Sequence, residues 1–148
     1  MLAYTAMALA VYASLLQAAA LAGRADRPVT QALARLATLL PTYLHELAHA
    51  GASILCTGRG RIRLHSVHEP SQRLDGQVAL GSSDVYYRGP LTNILVSAAP
   101  ALLLWPLAAW LAWSGEASLA EAACVGLLAY AGRLSDSDRE HLRWRAPA

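Results

Sequence analysis

Long blocks of apolar residues, separated by short polar stretches, dominate the pattern along the chain. Four blocks run at about Leu2–Ala22, Leu36–Gly58, Leu91–Trp113 and Ala122–Gly132. A helix of about 20 apolar residues is long enough to cross a bilayer. The last block is short for a full span. Either Ser118–Glu121 completes this span, or the block enters the membrane only in part. The pattern predicts an all-α membrane protein with about four transmembrane helices.

The polar stretch from Arg59 to Arg88, between the second and third blocks, has a different pattern. Apolar and basic residues alternate in Arg61-Ile62-Arg63-Leu64, and Asp75-Gly76 is a turn signal. Alternation of this kind with a turn dipeptide indicates short strands or a hairpin. We therefore expect a small polar β-like insert after the second helix.

The composition supports a lipid environment for a single domain over residues 1–148. Only 15% of the residues are charged, whereas soluble domains contain about 25%. The formal charge of +2 is small and dispersed, which argues against a nucleic-acid partner. Cys56 and Cys124 show neither a CxxC spacing nor a disulfide framework, so we expect two buried thiols.

The distribution of arginine predicts an orientation in the membrane. The 59–88 stretch and the tail after Gly132 hold nine arginines between them, whereas the 23–35 link holds three. The loop around Glu116 holds none. Because cytoplasmic loops carry an excess of basic residues, we expect a multi-pass protein with both termini in the cytoplasm.

His45 and His49 are four residues apart inside the second apolar block. On a helix, this spacing places both imidazoles on one face, close enough to share a metal. Glu46 lies beside them, where a carboxylate can take the proton of a zinc-activated water. Ionisable residues inside a membrane segment are costly and functional by default. We expect one Zn²⁺ per chain, with His45 and His49 as ligands and Glu46 as the general base.

Zinc needs a third protein ligand and an open position for water. His65, His68 and His141 are candidates by residue type, but we expect them to be solvated loop or tail residues. Several aspartates are also candidates, and two of them follow the fourth apolar block directly.

These two aspartates lie in the run Ser135–Asp138, at a membrane edge from which it can fold back against the second helix. Ser137 and Glu140 have the spacing of a capping box for a short final helix. Asp138 would then be the first helical residue and would have a defined direction. We expect Asp138 to be the third metal ligand, with Asp136 as the alternate.

Together these residues resemble the site-2 protease family of membrane-embedded zinc metalloproteases. In that family a membrane helix carries His-Glu-x-x-His, as at His45–His49, and a later helix opens with Gly-Pro-x-x-Asn, as at Gly89–Asn93. An aspartate near another membrane segment supplies the third ligand. Here Ser-Asp-Ser-Asp replaces the family's usual Asn-x-x-Pro and Asp-Gly pattern around that ligand. The resemblance covers about His45 to Asp138, and the polar insert is similar to that of the compact bacterial members.

The resemblance implies a zinc metalloendopeptidase of the bacterial inner membrane that hydrolyses membrane-protein or peptide substrates. It also implies that Asn93 holds the substrate strand or polarises its carbonyl, although an interhelical hydrogen bond is an equal alternative. Two other functions stay open: a non-catalytic metal-binding membrane scaffold, and a small ion or proton transporter subunit. Transport would favour ionisable residues on several spans. In this chain they concentrate on one helix and one membrane edge, which favours the protease.

Overall fold

The computed structural model describes residues 2–24, 28–64, 73–74, 77–78, 81–85, 89–114 and 118–142. In this part of the chain, the fold consists of helices and one small β insert between the second and third helices. The elements are α1 (Leu2–Arg24), α2 (Pro28–Thr57), β1 (Gly60–Leu64), β2 (Arg73–Leu74), β3 (Gln77–Val78), β4 (Gly81–Val85), α3 (Pro90–Ser97), α4 (Ala99–Ser114), α5 (Leu119–Ala131) and α6 (Asp136–Leu142).

The helices form a bundle in which α1 packs against α2 and α5, and α4 packs against α5 and α2. Small residues fill the helix contacts, among them Ala34, Ala48, Ala108 and Ala122. Large apolar side chains, including many leucines and tryptophans, instead lie on the outside. Small residues let helix backbones approach closely, which is typical of helix packing in membranes. The predicted all-α architecture is confirmed, and the described residues also contain the small β insert that the sequence predicts after the second helix.

Helix α1 is the clearest membrane segment of the described chain. Its residues Leu2–Ala22, the same bounds as the first apolar block, are long and apolar enough to cross a bilayer. Helices α3 and α4 together pass the same test if they count as one span bent by 43°. The structure therefore offers one or two membrane-spanning candidates among its described helices, and the four predicted spans stay a prediction.

Three boundaries differ from those expected from the apolar pattern. Helix α2 begins at Pro28 rather than near Leu36, because polar residues on one face do not stop a helix whose other face packs on a neighbour. The third block is broken at Ala98 into two helices. Helix α5 begins at Leu119, where Ser118 and Glu121 form a capping box, so the fourth block does extend towards these residues.

The polar insert folds as two antiparallel strand pairs. Strand β1 pairs with β4, from Gly60 opposite Val85 to Leu64 opposite Gly81. The short strands β2 and β3 pair with each other and flank the predicted turn at Asp75-Gly76, which lies outside the described residues. Both β1 and β4 pack against α2. The expected β-like insert is therefore present, and it lies against the helix that carries His45 and His49.

Candidate metal centre

Two turns of α2 and the first turn of α6 bring three metal-binding side chains together. The Nε2 atoms of His45 and His49 are 3.1 Å apart. Oδ2 of Asp138 lies 3.2 Å from His45 Nε2, and Oδ1 lies 3.0 Å from His49 Nε2. The side chains are 13%, 7% and 10% exposed for His45, His49 and Asp138. Two imidazole nitrogens and the two oxygens of one carboxylate thus converge on one shielded point.

Two backbone carbonyl groups orient the imidazole rings through hydrogen bonds to their Nδ1 atoms. His45 Nδ1 lies 2.9 Å from the carbonyl oxygen of Ala131, at the end of α5. His49 Nδ1 lies 2.7 Å from the carbonyl oxygen of Val96, near the end of α3. Because a carbonyl oxygen can only accept, each Nδ1 carries the proton and donates it. Because Nδ1 keeps its proton, loss of the Nε2 proton to an incoming metal leaves a lone pair directed at the shared point, which is the tautomer that a metal ligand needs.

The donor set and its spacing fit a metal ion. Nitrogen ligands at about 2.0–2.1 Å from a tetrahedral zinc are separated from each other by about 3.3 Å. Here the two Nε2 atoms are 3.1 Å apart, and they lie 3.2 and 3.0 Å from the two different oxygens of Asp138, so each separation is close to that between two ligands of one zinc ion. Two imidazoles and a carboxylate also match the ligands of catalytic zinc sites, which keep a fourth position for water.

Among the described residues, His45, His49 and Asp138 therefore form a group that could bind a metal ion. The chain matches no protein-family model, no curated protein and no solved structure. The resemblance to site-2 proteases accordingly stays a prediction, as does the identity of the metal.

Asp138 is fixed by the cap of its own helix. The N-cap residue of α6 is Ser135, whose backbone N–H and hydroxyl both donate to Asp138 Oδ2 at 2.7 Å. The Asp138 N–H in turn donates to Ser135 Oγ at 3.1 Å. The expected box of Ser137 and Glu140 was wrong: the helix begins two residues earlier, and Asp138 occupies its third position rather than its first.

Two opposing effects act on the Asp138 carboxyl. Burial favours its neutral form, but hydrogen bonds from His45, His49 and Ser135 favour the carboxylate. The second effect wins, and the pKa of Asp138 lies well below its ordinary value of 3.8. The residue is therefore anionic at any physiological pH, as a metal ligand must be.

The other candidates for the third ligand lie elsewhere. Asp136 is 83% exposed and forms a 3.5 Å ion pair with Arg139 on the outer side of α6. His65 and His68 lie outside the described residues, as does the side chain of His141. Of the two aspartates that the sequence proposed, the structure thus brings only Asp138 to the histidines.

Glu46 and Asn93 lie on the two helices that frame the site. Glu46 follows His45 on α2, is partly exposed, and is close enough to the His45 ring to act on it electrostatically. Asn93 is 3% exposed on α3, one turn before Val96, and its Oδ1 accepts a hydrogen bond of 3.4 Å from Ser97 Oγ. This contact within α3 is compatible with either of the two roles considered for Asn93.

Three positioning groups were missed by reasoning from side-chain chemistry. Ser135 orients Asp138, and the carbonyls of Val96 and Ala131 orient the histidines. The Ser135-x-x-Asp138 spacing is itself a capping-box signal that could have been found. The carbonyl groups have no residue-type signal, because every residue carries one.

Proposed function

We propose that this chain is an intramembrane zinc metalloendopeptidase that hydrolyses peptide bonds of membrane-protein or peptide substrates. The observation that carries the proposal is the convergence of His45, His49 and Asp138 beside Glu46. It supplies three ligands of the kind that catalytic zinc sites use, with a carboxylate next to them. The burial of the ligands supports a site built for a resident metal rather than a chance surface cluster.

His45, His49 and Asp138 would hold the zinc ion, which would supply a Lewis acid for the scissile carbonyl and for water. The residues of the protein carry out the proton transfers and orient the ligands and the substrate. Glu46 takes the proton from the attacking water and returns it to the leaving amine. The carbonyls of Ala131 and Val96 hold the two imidazoles in the ligating tautomer. Asn93 orients the substrate carbonyl from α3.

The bilayer is the proposed solvent for the bundle. Large apolar side chains cover the outside of α4, with Trp110 and Trp113 at 63% and 91% exposure. Such an apolar surface would promote aggregation in water, whereas it is expected for a protein in lipid. We therefore treat α1, α2, the α3–α4 pair and α5 as four spans of a multi-pass protein in a bacterial inner membrane. Both termini and the β insert are assigned to the cytoplasm from the arginine distribution.

A membrane substrate hides its amide groups in its own helix, so the backbone must be unwound before attack. In this proposal the β insert holds the extended segment. In the described part of the chain, β1 and β4 pair only with each other, which leaves each with an outer edge. A β-carbon on Gly60 would lie 2.7 Å from the Ala50 carbonyl oxygen, so β1 starts directly against α2 at the residue that follows His49 in the chain. A substrate strand added to this sheet would lie close to the metal.

The decisive experiment combines metal content and cleavage in detergent-purified protein. We expect about one zinc per chain in the wild type and in Glu46→Gln. Cleavage of a panel of membrane-protein substrates should fall by about 10²- to 10⁴-fold in Glu46→Gln, because an amide cannot accept the proton. Glu140→Gln, on the exposed side of α6, is the matched control and should cleave normally. Equal cleavage by Glu46→Gln would refute the assignment of the base.

Zinc binding without Glu46-dependent cleavage of any substrate would instead support the alternative of a non-catalytic metal-binding scaffold. Metal-independent ion flux in proteoliposomes would favour the transporter. Absence of bound zinc in the wild type would remove the basis of the proposal altogether.

A further inference from the structure

The last turn of α5 supports two of the side chains in the candidate metal group. The carbonyl oxygen of Ala131, the last residue of α5, lies 2.9 Å from His45 Nδ1 and holds that ring. The short link 132–134 then leads directly to Ser135, whose hydroxyl orients Asp138. A shift of this turn would therefore displace both His45 and Asp138.

Each carbonyl group of this last turn has a donor. A helix end leaves its last four carbonyl oxygens without partners inside the helix. In α5, those of Leu128 and Tyr130 accept from the backbone N–H groups that follow, at 2.9 and 3.1 Å. The carbonyl of Ala129 accepts at 3.2 Å from the indole Nε1 of Trp105, on α4. Trp105 thus caps the same turn that holds His45.

The proposed lipid environment makes this cap important. Helix α5 has 13 residues, or about 20 Å at about 1.5 Å per residue, whereas the hydrocarbon core of a bilayer is about 30 Å thick. A helix of this length that starts at one membrane face ends at membrane depth, where water does not replace a missing donor. Without the indole N–H of Trp105, the carbonyl of Ala129 would lose its side-chain donor in a medium that offers no other.

Gly132 gives the indole the room that this hydrogen bond needs. A β-carbon at Gly132 would lie 2.5 and 2.8 Å from Cδ1 and Nε1 of Trp105, closer than non-bonded atoms approach. The carbonyl oxygen of Pro100 would be a looser contact, at 3.2 Å. The φ of Gly132 is −74°, which any residue adopts, so the backbone does not require glycine here. The missing side chain therefore serves the approach of Trp105.

We infer that Trp105 and Gly132 are positioning residues of the metal centre, acting on His45 and Asp138 through the last turn of α5. The indole fixes this turn from α4, and Gly132 lets the indole come close enough to do so. The inference rests on the metal site of the proposed function, although not on cleavage. Two residues outside the metal group thereby control how tightly the group holds a metal.

A merely structural role makes a different prediction. If the contact only joined α4 to α5, its loss would lower the melting temperature and leave the metal affinity of the folded protein unchanged. Gly126 provides the comparison, because it also lies on α5 and a β-carbon there would collide with the carbonyl oxygen of Ala8 on α1. Gly126→Ala thus introduces a similar clash in the same helix, away from the last turn.

The test measures the affinity of metal-stripped, detergent-solubilised protein for added cobalt(II), by competition with a chelator. The visible absorption of bound cobalt(II) reports the arrangement of its ligands, and thermal unfolding of the metal-free protein is followed in parallel. Gly132→Ala is compared with Gly126→Ala. Trp105→Phe removes the indole N–H and is compared with Trp110→Phe, which changes a more exposed tryptophan of the same helix. Gly132→Ala is also made in a Trp105→Leu background, where the ring is gone.

We expect Gly132→Ala and Trp105→Phe each to weaken cobalt binding by about tenfold or more and to change the cobalt spectrum. Gly126→Ala and Trp110→Phe should leave both unchanged, although Gly126→Ala lowers the melting temperature. In the Trp105→Leu background, Gly132→Ala should weaken binding by less than about twofold further, because two changes that act through one contact are not additive.

Wild-type affinity and spectrum in folded Trp105→Phe would overturn the inference. Full additivity of Gly132→Ala with Trp105→Leu would do the same, and so would equal losses of affinity in Gly132→Ala and Gly126→Ala. Each of these results leaves metal binding by the wild type, and with it the proposed function, intact. A wild type that binds no metal would instead refute both.

Discussion

Replacing Asp138 by alanine should remove most of the metal affinity of the site. The carboxylate lies 3.2 and 3.0 Å from the Nε2 atoms of His45 and His49, so its loss would leave the proposed site with two protein ligands. Zinc sites with four protein ligands bind with about 10–16 kcal/mol, or about 2.5–4 kcal/mol for each ligand. At 1.4 kcal/mol for each factor of ten, Asp138→Ala should weaken zinc binding by about 100- to 1,000-fold.

Asp136→Ala is the matched control, because it removes the same side chain from the same short helix. Its side chain forms an exposed ion pair with Arg139, and such pairs contribute little to stability. We expect its zinc affinity to stay within about a factor of two of the wild type. Chelator competition in detergent measures both affinities, and circular dichroism checks that both variants keep their helix content.

The reverse ranking would move the ligand to Asp136 and refute the geometric argument for Asp138. Equal and small effects would place the third ligand elsewhere, with His65 or His68 next to be tested. Either result would show that the 3.0–3.2 Å contacts of Asp138 do not describe a ligand.

Three further outcomes are expected. Ser135→Ala should weaken zinc binding by about tenfold, whereas Ser135→Thr should not, because threonine keeps the hydroxyl that donates to Asp138. Chelator competition measures both affinities, and equal losses in the two variants would contradict this expectation. Gly126→Ala should destabilise the bundle by about 1–3 kcal/mol, since its β-carbon would collide with the Ala8 carbonyl oxygen. Gly51→Ala, with open space around it, should melt no lower than the wild type in detergent. A reporter fused to the C-terminus should be active in the cytoplasm, and activity on the other side would refute the arginine argument.

Part of the site could be predicted from the sequence because its signals are local. The i, i+4 spacing of His45 and His49 needs only a helix to place both rings on one face. Asp138 followed from its position after the last apolar block, and the structure brings it to the histidines. The capping argument that favours Asp138 over Asp136 is nevertheless wrong, because the N-cap of α6 is Ser135 rather than Ser137.

The remaining features depend on contacts between distant segments. The carbonyls of Val96 and Ala131 become acceptors for histidine only once α3 and α5 pack beside α2. The break at Ala98 was not foreseen because the third block is apolar throughout, and the hydropathy pattern does not register a missing N–H. Pro100 is the residue from which the break could have been predicted.

The shortness of α6 has a consequence for how the site fills. A helix of seven residues is well below the roughly 12–15 residues at which isolated helices become stable in water. Its order therefore depends on packing against α3 and on the reach of Asp138 to the two histidines. The Asp138 carboxylate both anchors α6 and contributes to the candidate metal group. Metal occupancy of that group and the order of α6 are therefore linked, and each favours the other. Amide hydrogen exchange in α6 should then slow on metal binding, and a partner that clamps this helix would raise metal affinity without touching the metal.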